Sequence, residues 1–228
     1  MKENQRNQEP LTAEREWTVE EVPVLWASVR LPPPPVEAGE RTARRIGRFY
    51  RLQGRCFLQY CQRWLLPQAE AAYRAALEAS VPLPAYRAEL DYRVTYCQGG
   101  LWSLYTQTRE TAGPGPALLT RRGDTWDLAA GYPVPLRDFF GGGGSWRKRL
   151  AARAAEEIQR RERAGVSRFH PDWRKVRFNP QNYYLTEEGL AFFYPMYAIA
   201  PAAEGVPVFL LPYEPGALDA GGKEKEEE

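Results

Sequence analysis

The spacing of apolar positions changes several times along the chain, and each change marks a predicted element. Val22 to Leu31 (VPVLWASVRL) carries β-branched and aromatic residues and stops at four consecutive prolines, Pro32 to Pro35, which predicts a strand ended by a stiff extended spacer. From Glu40 the steps become three and four. Ile46, Phe49, Tyr50, Gln53, Cys56, Phe57, Tyr60 and Trp64 recur with arginines between them, the pattern of an amphipathic helix that buries an aromatic stripe. Pro67 kinks or restarts that helix, and Ala69, Ala72, Tyr73, Ala76 and Leu77 carry its apolar face on to Pro82 and Pro84.

Alternation returns over Tyr86 to Tyr96 (YRAELDYRVTY). Gln98, Gly99 and Gly100 turn it into Leu101 to Glu110, and a Gly/Pro loop from Thr111 to Pro116 leads into a third run, Ala117 to Leu128. The three runs predict an antiparallel meander that needs helices to cover one face. After PLRDFF (Pro135 to Phe140) and Gly141 to Gly144, a charged helix is expected from Ser145 to about Ala164, with a short helical turn within Asp172 to Phe178. Tyr183 to Leu185, a polar turn from Thr186 to Gly189, and Leu190 to Tyr194 form a hairpin signal. A tight aromatic corner and a final strand, VPVFLLPY, follow it. The fold class expected is α+β, an antiparallel sheet built from the meander and the C-terminal hairpin packed against two or three helices.

Composition adds a few limits. A chain of 228 residues with 43% hydrophobic and 13% aromatic content can build a real core, and one compact body with frayed ends is expected. With 31 basic and 29 acidic residues the net charge is +2, too small for a global field that would draw nucleic acid or an anionic membrane. The polar N-terminus lacks the apolar run of a signal peptide, and no stretch approaches the roughly 18 apolar residues of a membrane span. Three cysteines (Cys56, Cys61, Cys97) leave one unpaired in any disulfide scheme and lack zinc half-site spacing. The reading is therefore a reduced, cytoplasmic protein with no metal and no cofactor.

Several separate stretches, in order, have a family look: the meander with its Gly turn, TWDLAAG (Thr125 to Gly131), PLRDFF, YLTEEGLAFFYPMYAIAPAAEG (Tyr184 to Gly205), and VPVFLLPY. Together they resemble the C-terminal domain of the RsiV anti-sigma factor family, domain of unknown function 3298. That domain also accompanies the peptidoglycan deacetylase PdaC. The match runs from about Tyr86 to Tyr213. The organisation it implies is a disordered leader over 1–21, a strand and helical region over 22–85, the RsiV C-terminal-like domain over 86–215, and a disordered acidic tail over 216–228. Two departures stand out. The family's Gly-Gly-Ala-His-Gly-like loop reads Thr111-Ala-Gly-Pro-Gly-Pro-Ala117 here, without the histidine, and the family's usual anchor or signal peptide is not seen.

Candidate chemical sites thin out on inspection. Gly141 to Arg149 (GGGGSWRKR) has glycines before a helix, yet lacks the Gly-Lys-Ser/Thr order of a phosphate loop, so it reads as a connector with Ser145 as N-cap. Arg147, Lys148, Arg149, Arg153, Arg160, Arg161 and Arg163 outnumber Glu156, Glu157 and Glu162 on the following helix, but no aromatics interleave them, and nucleic acid is not expected. His170, the only histidine, precedes Pro171 and Asp172 and reads as a helix start. No G-x-S-x-G elbow supports a hydrolase triad, and Glu187-Glu188 falls in a hairpin turn. Tyr194, Pro195 and Tyr197 read as a packing corner. No catalytic, cofactor-binding or metal residue is assigned. The expectation is a non-enzymatic protein-binding or regulatory module, contacting another protein through Thr111, Gly113, Pro114 and Gly115, since hairpin tips on a rigid sheet commonly carry function. The alternatives are a cell-wall-related hydrolase or its accessory domain, suggested by the PdaC association, and a nucleic-acid accessory protein using the Arg147 to Arg163 face.

Overall fold

The computed structural model describes residues 9–84, 86–113, 115–141 and 145–213. The fold is α+β. Six strands are hydrogen-bonded in chain order: β1 (Leu11–Val19), β2 (Val22–Leu31), β3 (Tyr86–Gln98), β4 (Leu101–Ala112), β5 (Leu118–Asp127) and the short β6 (Tyr132–Pro133). The C-terminal hairpin and final strand do not join them. They form a separate three-stranded sheet of β7 (Tyr183–Leu185), β8 (Gly189–Phe193) and β9 (Val208–Pro212). The chain divides into two compact units, Met1–Arg93 with Thr106–Arg121, and Val94–Tyr105 with Arg122–Glu228.

In the first unit, β1 occupies residues 11–19 of the leader expected over 1–21. Only Ala13, Trp17 and Val19 of this strand are half-buried, and the rest is exposed and rich in charge. Such an edge strand shows little apolar alternation, and Glu14, Arg15 and Glu16 protect it from pairing with other chains. β2 pairs antiparallel with β1 and parallel with β3, Leu25 opposite Tyr86 and Val29 opposite Leu90. A parallel neighbour requires a crossover, and a continuous helical stretch supplies it: α1 (Glu40–Tyr60), a π-helical turn (Cys61–Leu65) and α2 (Leu66–Ala79). Leu25, Ala27, Val29 and Leu31 turn one face of β2 to this helix. Gly54 lets the two approach, because a Cβ there would lie 3.1 Å from Leu31 Cδ1 and 3.2 Å from Val29 Cγ1.

The aromatic stripe is only half core. Ile46, Tyr50 and Phe57 are buried, but Cys56, Tyr60 and Trp64 are exposed, and the buried set continues as Cys61, Leu65, Ala69, Tyr73 and Ala76. The π turn accounts for the change of phase. The Leu66 N–H reaches back five residues to the Cys61 carbonyl, so one extra residue enters the turn and the buried face moves forward by one position. Pro67 supplies the cause: it has no N–H to give, its ring crowds the carbonyl four residues back, and a wider turn relieves both. The helix ends at Ser80 in the left-handed conformation.

In the second unit, Gly99 and Gly100 join β3 to β4 with φ of 59° and 74°, the pair of positive values of a type I′ hairpin turn. β7 and β8 are buried on both faces. Tyr183, Leu185, Leu190 and Phe192 face α3 (Trp146–Arg163), which offers Trp146, Leu150, Ala154 and Ile158 at steps of four. Tyr184, Ala191 and Phe193 form a second cluster with Tyr105, Val208 and Leu210. At the turn, the Thr186 hydroxyl donates to the Gly189 carbonyl (2.9 Å) and accepts from the Gly189 N–H (3.2 Å), leaving Glu187 and Glu188 exposed at the tip.

Arg153 and Arg161 donate to the backbone carbonyls of Leu210 and Val208, both at 2.8 Å, and so fasten α3 along β9. Glu157, 8% exposed, accepts from Arg160 (2.6 Å) and Arg161 (2.7 Å). Arg160 first, then Arg161, hold its carboxyl down at about 2, against the opposing effect of burial. An unfolded glutamate titrates near ~4.3. This carboxylate therefore contributes stability that is complete above about pH 5 and is lost as pH falls toward 2. Acid unfolding followed by circular dichroism is expected to show a flatter limb between those values in Glu157→Gln than in the native chain. An identical limb would mean that the contact adds nothing to stability.

Candidate functional site

The π turn sets the character of one end of the first unit. By moving the buried face on to Leu65, it leaves Trp64 65% exposed on the outside of the helix, and Tyr60, just ahead of the turn, is 38% exposed. The Tyr60 hydroxyl donates to Glu110 Oε2 at 2.8 Å, which places the last residues of β4 beside the start of the turn. Burial, and then the hydrogen bond and charge of Glu110, push the Tyr60 hydroxyl up to about 12. Burial pushes the Cys61 thiol up to about 12 as well, with Glu110 adding to the shift. Glu110 itself is raised by burial, and the Tyr60 bond works in the opposite direction. Cys61 is thus a buried, protonated thiol near neutral pH, and the Tyr60 ring stands beside the Glu110 carboxylate.

The expected contact loop is shorter than its sequence suggests. Thr111 and Ala112 extend β4, so Thr111 is a half-buried strand residue directly after Glu110. Gly113 begins the turn with φ of 69°, and a Cβ there would lie 3.2 Å from Pro84 Cβ. Gly115 is exposed, whereas Pro114 lies outside the described residues. Leu118, 41% exposed, opens β5. The structure therefore joins the expected contact residues to Tyr60 through Glu110. Trp64 and Tyr60 were missed as surface residues because both fit the helical period. The signal that could have found them is the competing run Phe57, Cys61, Leu65, Ala69 and Tyr73 at unbroken steps of four, followed through a proline that a regular helix would not tolerate.

The other candidates are placed elsewhere. His170 gives its backbone N–H to the Ile199 carbonyl (2.8 Å) and accepts from the Trp173 N–H (3.0 Å), opening the turn into the short 3-10 helix Trp173–Lys175. Ser145 stands at the N-cap of α3, but its side chain makes no capping bond. Gly142–144 and the acidic tail lie outside the described residues. The basic side chains of α3 do not act as one face: Arg153, Arg160 and Arg161 are used within the unit, in the contacts to Glu156, Glu157 and β9. In the aromatic corner Tyr194 is buried against Phe178 and Phe209, whereas Tyr197, with φ of 67°, is 49% exposed. Among the described residues no three His, Cys, Asp or Glu side chains form a metal-ligating group, and no helix is long and apolar enough to cross a membrane.

Among proteins of known structure, the chain is similar to a DUF3298 family member from Bacteroides fragilis, with a TM-score of 0.60 and 14% identity over 90% of this chain and 89% of the other. It is also similar to a DUF3298 family protein from Pseudomonas aeruginosa, with a TM-score of 0.56 and 19% identity over the same shares of both chains. At these identities the likeness is one of fold. No curated protein matches the chain. Residues 137–214, from the segment ahead of α3 to the end of β9, match the family described as Protein of unknown function (DUF3298), on a fold shared with solved proteins of that family.

Proposed function

We propose that this protein is a non-enzymatic binding module that recognises another protein through a surface of its first unit, formed by the exposed Trp64 of the helix and by Tyr60, which stands beside Glu110 at the end of β4. The reading extends the resemblance to RsiV-type sensing domains from sequence to role, and moves the contact from the turn alone to the helix next to it. The observation that carries it is Trp64. A tryptophan 65% exposed is a large apolar surface left in water, and tryptophan is the residue most enriched among those that dominate protein interfaces. The helix positions it by a π turn, a device that recurs at functional sites.

The test is affinity capture of the tagged full-length chain from its native cell extract beside two variants. One carries Trp64→Ala, and the other has Thr111 to Pro116 replaced by Gly and Ser. A partner held by the native chain is expected to bind Trp64→Ala about 30-fold or more weakly, as for an interface residue whose truncation costs ~2 kcal/mol. A partner retained equally by both variants would overturn the assignment of this surface. Matching circular dichroism spectra separate loss of binding from loss of fold.

A further inference from the structure

A second feature lies in the second unit and is independent of the protein-binding surface. The start of α3 and the segment after the short helix Trp173–Lys175 enclose a hollow of about 420 Å³, within the size range of small-molecule sites. Its walls are aromatic. Trp173 is 7% exposed and Tyr194 5% exposed, and the Phe178 ring stands 5.7 Å from the Tyr194 ring. Its rim is cationic, with Arg147 from α3 and Arg174 and Arg177 from the opposite segment.

The three guanidinium groups differ from the paired arginines of α3. Arg153, Arg160 and Arg161 each pair with a glutamate, and the neighbouring Asp172 lies 3.9 Å from Lys175. Among the described residues no carboxylate pairs with Arg147, Arg174 or Arg177. Arg147 lies over the Trp146 ring at 4.2 Å and Arg174 over the Trp173 ring at 5.0 Å, arrangements that orient the cations without neutralising them. Arg147 also occupies the first turn of α3, which contains no acidic residue, where the helix dipole disfavours positive charge. Tyr194 adds a polar group on the hollow: it lines the cavity, and its hydroxyl has no hydrogen-bond partner among the described residues.

We propose that this hollow binds a small anionic ligand with an aromatic body, an aryl phosphate or aryl carboxylate. The ring lies against Trp173 and Phe178, the anion is held by Arg147, Arg174 and Arg177, and the Tyr194 hydroxyl donates to it. Planar, fork-shaped guanidinium groups suit both carboxylate and phosphate, and stacking against aromatic walls adds affinity for a ring.

The experiment is titration calorimetry of the full-length chain with phenyl phosphate and with phenylacetate, beside inorganic phosphate and phenol as the two halves of the ligand. At least one aryl anion is expected to saturate a single site per chain, more tightly than either half and less tightly as salt is added. The tighter of the two aryl anions identifies the anion class. The double variant Arg174→Ala/Arg177→Ala is expected to bind about tenfold or more weakly, and Tyr194→Phe several-fold more weakly. Both keep the apolar walls, and circular dichroism checks their fold. The proposal is overturned if the aryl anions bind no better than phosphate and phenol, or if the variants bind as the native chain does.

Discussion

Gly123→Ala is expected to destabilise the second unit by roughly 4 kcal/mol or more, enough to leave much of the protein unfolded at room temperature. Gly123 lies in β5, where a Cβ would come within 2.6 Å of the Tyr183 carbonyl carbon and closer still to its oxygen. The obstacle is backbone, so no side-chain rotation makes room. Nor can the strands drift apart freely. The Leu185 N–H donates to Ser103 Oγ at 2.8 Å, the same oxygen lies 2.7 Å from Thr125 Oγ1, and the Tyr105 and Tyr184 rings meet at 5.1 Å. Urea unfolding of Gly123→Ala beside Gly99→Ala checks the argument. Gly99 has φ of 59° and nothing within 4 Å of a built Cβ, so its substitution costs only the conformational strain, about 1–2 kcal/mol. Equal losses in the two variants would contradict the close approach of β5 and β7.

The next largest effect is expected from Phe192→Ala, at about 3–5 kcal/mol. Phe192 is fully buried, with its ring 5.4 Å from Phe209 and 5.8 Å from Phe178. Phe178 in turn forms a wall of the arginine-rimmed hollow. Phe192→Ala is therefore expected to weaken aryl-anion binding as well as stability. Phe193→Ala makes the comparison, since Phe193 is buried on the opposite face of β8 against Tyr184. It is expected to cost similar stability in urea and to leave anion binding intact in the fraction that remains folded. If both variants bind alike, Phe178 does not depend on Phe192 for its position.

Elements with a one-sided apolar period were legible in the sequence. The alternation in β2, the Gly-Gly turn between β3 and β4, and the Thr186 to Gly189 turn all appear where the residues place them. What escaped has identifiable causes. β1 escaped because an edge strand with only three half-buried positions reads as polar chain. The parallel pairing of β2 with β3 escaped because strand patterns carry no direction, and only a long crossover reveals it. Helical periodicity placed Tyr60 and Trp64 inside, since both fit a regular helical step from Phe57, and only the competing run through Cys61, Leu65 and the proline beyond it marks the extra residue of a π turn. The hollow was invisible for a different reason. Arg147, Arg174, Arg177 and Tyr194 are scattered over almost fifty positions, and their convergence depends on the packing of the 173–178 segment. The Thr111 to Pro116 loop stands out for its glycines, yet its connection to Tyr60 runs through Glu110, one residue before it.

The parallel pairing of β2 also has a consequence during synthesis. Leu25 is paired to Tyr86, 61 positions further along the chain. At roughly 5–20 residues per second a ribosome needs about 3–12 s to make that stretch. Over that interval β1 and β2 can already close as a hairpin, while the other edge of β2 presents unpaired amides and Val24, Leu25 and Val29 to the surroundings. The helix emerges before β3 and can cover one face of the hairpin, but not that edge. A nascent chain stalled shortly before Tyr86 is therefore expected to be the most aggregation-prone length of this protein.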